Sequence, residues 1–242
     1  PFQLAADPLV TEVLLGEDFD FVLLDAEHRA LNPETVEDLV RTAQGLGKAA
    51  VVRVRQLTRG DIQYALDSRA DAVLVPLVNN ATEAELAVEF SHYPPEGSRG
   101  LNAGKRAAGW GAPDPGGYAK SANLDTLVAV QIETRSGLEH VNEIAAVQGV
   151  DILFVGPFDL SHGLGLTGQL AHPDVRAAIT KIFETGRKHG KWLGVLAPEP
   201  AFAEWCLGLG VRFLTYRSDV RFLKAAAAAN AAEVAALRKR VT

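Results

Sequence analysis

Leu127–Asp159, LVAVQIETRSGLEHVNEIAAVQGVDILFVGPFD, decides the fold. Leu127–Ile132 is almost wholly apolar, and so is Ile152–Val155. An amphipathic stretch, Ser136–Val147, separates them and runs out at Gly149. Short continuous runs rich in Val, Leu and Ile are what parallel strands buried on both faces require. A helical stretch between two such runs makes a strand–helix–strand unit, the crossover that lets consecutive strands run parallel. Each run leads into an acid: Glu133 follows the first and Asp159 the second.

The same unit recurs along the chain. Further apolar runs are Phe2–Ala5, Phe21–Asp25, Ala49–Val54, Ala72–Val78, Trp192–Leu196 and Val211–Tyr216. Helical patterns fall between them. Pro33–Leu46 opens after Asn32, an N-cap with proline at the first helical position. Ala81–Ser91 follows Asn80, Pro173–His189 stops at Gly190, and an alanine-rich helix covers Val220–Arg240. Eight strands alternating with helices in one domain, residues 1–242, predict an α/β fold of the TIM (β/α)8-barrel type. An open doubly wound sheet is the alternative, and no GxGxxG follows the first strand to favour it. Ser98–Asn102 is a candidate ninth strand. Residues 94–123 form a long Gly-, Pro- and Ala-rich segment, expected to be functional or partly helical.

Bulk properties remove several function classes. The formal net charge is −6, which argues against nucleic acid or an anionic membrane surface as the main partner. A small anionic substrate stays open, because one local arginine outweighs a mildly acidic surface. The single cysteine, Cys206, excludes an internal disulfide and points to the cytoplasm. No apolar run reaches the ~18 residues that span a bilayer. The chain starts at Pro1 and contains no methionine, so a short leader is expected ahead of it.

Barrel active sites lie at the C-terminal ends of the strands. Those ends here carry Asp25-Ala26-Glu27-His28, then Arg53 and Arg55, then Gln131 and Glu133, then Gly156-Pro157-Phe158-Asp159. Glu133 and Asp159, with no cysteine nearby, suit a hard divalent cation such as Mg2+ or Mn2+. Two protein ligands leave positions open for water and for a 2-oxoacid, whose enolate such a cation stabilises. An arginine can hold the carboxylate or oxyanion, and a histidine can move the proton. Imine chemistry needs a lysine on that face, but Lys48 and Lys191 sit at strand starts and the other lysines in helices or the long loop. Gln131 shares strand parity with Glu133, so both point to one side. Arg53 is preferred to Arg55, which lies further out. Plainer readings stand beside these. His28 can be a half-buried surface histidine, Arg53 a structural partner of a carboxylate, and Asp67 a helix end. His162 reads as a solvent-facing loop histidine. Gly163–Gly168 reads equally as a lid or a plain loop.

At LLDAEH (Leu23–His28), VVRV (Val51–Val54), YPPEGSRG (Tyr93–Gly100), VQIETRSGL (Val130–Leu138), GVDILFVGPFDLS (Gly149–Ser161) and AHPDV (Ala171–Val175), the chain resembles the HpcH/HpaI aldolase family, the class II pyruvate aldolases. The resemblance runs over nearly the whole chain. It implies a barrel of the phosphoenolpyruvate/pyruvate type, a homo-oligomer (a hexamer in the family), and reversible metal-dependent aldol cleavage. The 2-oxoacid would be pyruvate or hydroxypyruvate, the partner an aldehyde, and the cation Mg2+ or Mn2+, with Co2+ or Zn2+ also accepted. It assigns metal ligation to Glu133 and Asp159, and substrate contact to Arg53 and Gln131. Catalysis falls to His28 with Asp67 as its paired acid. Asp25 and Glu27 stand near the metal-bound water, and the backbone at Phe158 and Asp159 receives the substrate carboxylate. Two departures bear on specificity: Phe158 replaces a small residue, and Leu101-Asn102-Ala103 replaces a Gly-Ser pair. A barrel lyase acting on CoA thioesters and a non-catalytic metabolite-binding barrel are the rival readings.

Overall fold

The computed structural model describes residues 1–241. In chain order the elements are β1 (Phe2–Gln3), α1 (Pro8–Leu15), β2 (Phe21–Asp25), α2 (Pro33–Gly45), β3 (Ala49–Arg53), α3 (Arg59–Asp67), β4 (Ala72–Val75) and α4 (Ala81–Ser91). A 3-10 turn at Arg106–Ala108 leads to α5 (Pro115–Asp125). Then come β5 (Leu127–Ile132), α6 (Arg135–Glu139), α7 (Val141–Ala146), β6 (Ile152–Val155), α8 (Pro157–Gly163), α9 (Pro173–Lys188), β7 (Trp192–Ala197), α10 (Pro200–Gly208), β8 (Phe213–Tyr216) and α11 (Asp219–Val241). All strand pairings are parallel and follow chain order, β1 to β8. The ends meet: Phe2 bridges Ser218 and donates its N–H to the Arg217 carbonyl at 3.2 Å. A sheet in sequential order whose first and last strands touch is a nearly closed barrel, and the doubly wound alternative is excluded.

Alternation along the strands divides the core. Leu23, Val51, Ala72, Leu74, Ala129, Ile152 and Phe154 pack with Phe2 into one apolar cluster, which plugs the barrel interior. A larger cluster, including Leu24, Val52, Val73, Val130 and Leu153, fills the layer between strands and helices. One step of the inward parity toward the C-terminal ends replaces Leu23 by Asp25, Val51 by Arg53, and Ala129 by Gln131 and then Glu133. The plug therefore ends in a polar layer. All four of these side chains are buried.

The boundaries differ from the sequence reading where local chemistry intervenes. The first strand stops at Gln3 rather than Ala5, because the Leu4 and Ala5 N–H groups turn to the Asp219 carboxylate (3.0 and 2.7 Å). The fourth stops at Val75, since Pro76 cannot donate and Leu77 takes a left-handed φ of 56°. The last begins at Phe213, two residues late. The helix expected over Ser136–Val147 is two short helices meeting at His140. Ser98–Asn102 forms no strand. The 94–123 segment is partly helical, as expected of its length, and packs along α3 through Arg59 to Ser98, Arg99 to Asp67 and Arg106 to the Ser68 carbonyl. Helices α1, α8 and α10 have no counterpart in the periodicity reading, yet each opens on a proline, as α2, α5 and α9 do. Among the described residues, no helix is long and apolar enough to cross a membrane.

Candidate active site

The polar layer is built around one guanidinium. Asp25 and Arg53 are direct register partners on β2 and β3. Arg53 Nε donates to Asp25 Oδ1 at 2.9 Å, and its Nη2 pairs in charge with the same oxygen at 2.9 Å. Its Nη1 stands 3.0 Å from Glu27 Oε2, close enough to pair charge but not aligned as a hydrogen bond. The Phe2 ring lies 4.9 Å from the guanidinium carbon. Asp25 Oδ1 also accepts the Glu27 N–H at 3.0 Å, which fixes the turn after β2. Asp25 Oδ2 is buried without a partner. An arginine has five N–H groups, so two remain for a ligand after these contacts.

Glu133 lies one residue past β5 and is buried. Its Oε1 accepts the Leu77 N–H at 2.9 Å, and its Oε2 accepts from Gln131 Nε2. Burial, reinforced by the neighbouring Glu27 and Asp159 charges, pushes its carboxyl up to about 7 despite these bonds. Burial is also the largest cause that raises Glu27, against the pull of Arg53. Asp159 is placed differently from the sequence reading. It lies in the first turn of α8, past the end of β6, and is exposed, with no hydrogen bond or ion pair among the described residues. Phe158, beside it, is also exposed. His28 is largely solvent-facing, with Nε2 3.7 Å from Glu27 Oε2.

Asp25, Glu27, Glu133 and Asp159 thus share one electrostatic neighbourhood with a single arginine. That excess of negative charge, all on oxygen, fits a hard divalent cation. So do the buried unpartnered oxygens Asp25 Oδ2 and Gln131 Oε1. No group of three His, Cys, Asp or Glu side chains closes a complete metal cage among the described residues. A cation held by Glu133 and Asp159 would need further ligands from outside these side chains.

Asp67 is not joined to His28. It ends α3, which runs back antiparallel to the strands, and its Oδ1 accepts from Arg99 at 2.8 Å and from Lys105. No hydrogen bond or ion pair links it to His28 among the described residues. Arg55 pairs outward with Asp61 at 2.6 Å.

Two contributors escaped the residue-by-residue reading. Leu77 presents its N–H to Glu133 only because it adopts φ 56°, a strained choice for a leucine and one that propensity does not signal. Val78 and Asn79 tie the same loop to Gln131 and Thr134. Gly156 is the second. A Cβ there would stand 2.5 Å from Glu133 Oε2 and 2.7 Å from Gln131 Nε2. A glycine between a buried strand and a proline was the available signal of close approach. Gly156→Ala is expected to displace the Glu133 carboxylate. Activity should fall by about a hundredfold, with a stability loss of only about 1–3 kcal/mol. Kinetics beside a denaturant melt checks it.

Comparison with known proteins bears on this geometry. The family model described as HpcH/HpaI aldolase/citrate lyase matches residues 2–226. A 5-keto-4-deoxy-D-glucarate aldolase of Klebsiella pneumoniae is 40% identical over 222 residues, 91% of this chain and 86% of its own. The solved HpcH/HpaI aldolase/citrate lyase family protein of Burkholderia cenocepacia J2315 superposes with a TM-score of 0.91 at 31% identity. It covers 96% of this chain and 92% of its own. The citrate synthase SbnG superposes with a TM-score of 0.86 at 30% identity, over 96% and 91% of the two chains.

Proposed function

The chain belongs to the HpcH/HpaI aldolase/citrate lyase family and is a carbon–carbon lyase, and from that premise we propose that it catalyses reversible aldol cleavage of 4-hydroxy-2-oxoacids to pyruvate or hydroxypyruvate and an aldehyde. The observation that carries this reading is the buried Arg53 guanidinium set against four carboxylates at the barrel mouth. A 5-keto-4-deoxy-D-glucarate, on which the K. pneumoniae relative is named as acting, is one member of this substrate class.

Glu133 and Asp159 would hold a divalent cation, Mg2+ or Mn2+ by preference and Co2+ or Zn2+ as substitutes. Bound there, the cation would supply Lewis-acid stabilisation of charge on the 2-oxoacid. Arg53, with two N–H groups to spare, binds the 2-oxoacid end and its developing oxyanion. Asp25 holds the guanidinium plane so that those donors stay aimed. Gln131 keeps Glu133 oriented through Nε2 and offers Oε1 to the substrate. The backbone at Phe158 and Asp159 receives the carboxylate. His28 Nε2, with Glu27 beside it, takes the proton from the C4 hydroxyl. The C3–C4 bond then breaks, its electron pair forms the enolate, and reprotonation at C3 releases the 2-oxoacid. Asp67 enters this scheme only as an acid paired to a histidine across a subunit contact, since its own chain keeps it from His28.

The experiment is exchange of the pyruvate C3 protons for deuterium, followed by NMR. Exchange that EDTA abolishes and Mn2+ restores is expected. Absence of exchange with any divalent cation sinks the reading, and cleavage of CoA esters in preference to free acids favours the thioester rival.

The assembly belongs to the same proposal. Every residue of α11 from Leu223 to Arg240 is exposed, including Leu223, Val234 and Leu237. A helix so short of contacts gains its stability from packing elsewhere, and a neighbouring subunit of a homo-oligomer, hexameric by family likeness, provides that packing. Light scattering is expected to give a multiple of the 25.9 kDa chain mass. Deleting residues 223–242 should lower that multiple. We place the protein in the cytoplasm on the strength of its single free, buried Cys206, whose thiol burial pushes up to about 12.

A further inference from the structure

We propose that Arg29 is the residue that selects an anionic acceptor aldehyde, binding the carboxylate or phosphate at the end of the substrate remote from the 2-oxoacid. The inference rests on the aldol reading above and extends it to the other half of the substrate.

Arg29 follows His28 in the loop after β2, on the same face as Glu133. Its side chain crosses to the neighbouring strand end, where Nε donates to the Leu4 carbonyl at 2.9 Å. That anchor is itself fixed, because Asp219 accepts the N–H groups of Leu4 and Ala5. The guanidinium is thus pinned by its inner nitrogen, and its outer edge, Nη1 and Nη2, is left free. Two parallel N–H groups on one edge are the fork that matches a carboxylate or phosphate.

Charge pairing on this face separates Arg29 from its neighbours. Arg53 is held by Asp25 and Glu27, Arg55 by Asp61, and Arg217 and Arg221 by Glu199. At these strand ends, Arg29 and Arg135 have no carboxylate partner among the described residues. Of these two, only Arg29 is positioned by a hydrogen bond. An arginine ordered on an exposed rim without an internal counter-ion is prepared for an external one. Its place in the chain gives the polarity of binding. On the aldol reading the 2-oxoacid lies toward the buried Arg53 and Glu133 and His28 addresses the C4 hydroxyl, which leaves the exposed rim, where Arg29 stands, for the group beyond C4.

The test compares wild type with Arg29→Gln and Arg29→Lys, using pyruvate as donor. The acceptors are succinic semialdehyde, glyceraldehyde 3-phosphate and neutral glyceraldehyde. Arg29→Gln is expected to lower kcat/KM about 10- to 100-fold for the charged aldehyde the site prefers, mainly through KM, and less than about threefold for glyceraldehyde. Arg29→Lys should recover only part of the loss. The carboxylate and phosphate arms identify the group that is read. Equal losses on charged and neutral aldehydes, or none, overturn the proposal. Pyruvate deuterium exchange is expected to be unchanged in both variants. Loss of exchange already in wild type would defeat the aldol reading instead. Calorimetric binding of tartronate and of inorganic phosphate, which needs no turnover, keeps the Arg29 contact measurable in that event: binding of both that Arg29→Gln leaves intact overturns it.

Discussion

Glu133→Gln is expected to reduce aldol turnover by at least about a thousandfold, roughly 4 kcal/mol of barrier, while making the chelated protein more stable above neutral pH. On the proposed reading, the activity loss follows from removing one of the two carboxylates assigned to the cation. The stability gain follows from the burial of Glu133, which lifts its carboxyl from 4.5 to about 7 in the folded chain. The folded state therefore holds a proton that the unfolded state has released. Stability falls as pH rises from about 4.5 to about 7 and stays reduced above that. The full deficit is on the order of 3 kcal/mol. A glutamine has no such titration and still accepts the Leu77 N–H. Denaturant melts in EDTA should coincide near pH 4.5 and separate toward pH 8, with the variant the more stable. Added Mn2+ should stabilise wild type only. Parallel pH profiles, or exchange activity retained by the variant, would falsify the assignment of Glu133 as the buried ligand.

Arg53→Ala is expected to be the most destabilising single change at the site, by about 3–5 kcal/mol, because it strands two carboxylates rather than merely deleting a contact. Asp25 is fully buried, and its Oδ1 loses the Nε hydrogen bond and the Nη2 ion pair; Glu27 loses the larger of the two charges, Arg53 and His28, that oppose its desolvation. Without Arg53, the raised Glu27 carboxyl loses the charge that holds it down and would bind its proton still more tightly in the folded state. The deficit should therefore grow as pH rises through the carboxylate range and be smallest in acid. Arg53→Lys keeps one charge but cannot reach Asp25 and Glu27 together, so partial recovery of stability is expected with a raised KM for pyruvate. Adding Asp25→Asn to Arg53→Ala should restore stability and leave activity absent. If the double variant is no more stable than Arg53→Ala, the stranded charge is not the cause.

Much of this was legible from the chain, for a local reason. Buried parallel strands must be continuous apolar runs, and the eight runs were countable. The strand-end rule then named Asp25, Arg53, Gln131 and Glu133. These are the side chains that one step of parity carries from the apolar plug into the polar layer. Helices α1, α8 and α10 were missed because their apolar periodicity is short, although the prolines that open them were a readable signal. The strand ends were misplaced wherever a distant group took over a backbone N–H, as Asp219 does for Leu4 and Ala5.

The sequence by itself determined the barrel, its catalytic face and the residue types available there, because period and parity are properties of consecutive residues. Only the tertiary structure decided how those residues share their contacts. It committed Arg53 to Asp25 and Glu27, buried Glu133 beneath Gly156 while leaving Asp159 open in a helical turn, and bound Leu77 into a strained conformation to serve Glu133. It also turned Asp67 away toward Arg99 and Lys105, and pinned Arg29 to the end of a strand 25 residues earlier. Each of these depends on which groups meet across strands and on how much water the closed barrel excludes. Neither quantity is set by neighbours in the chain.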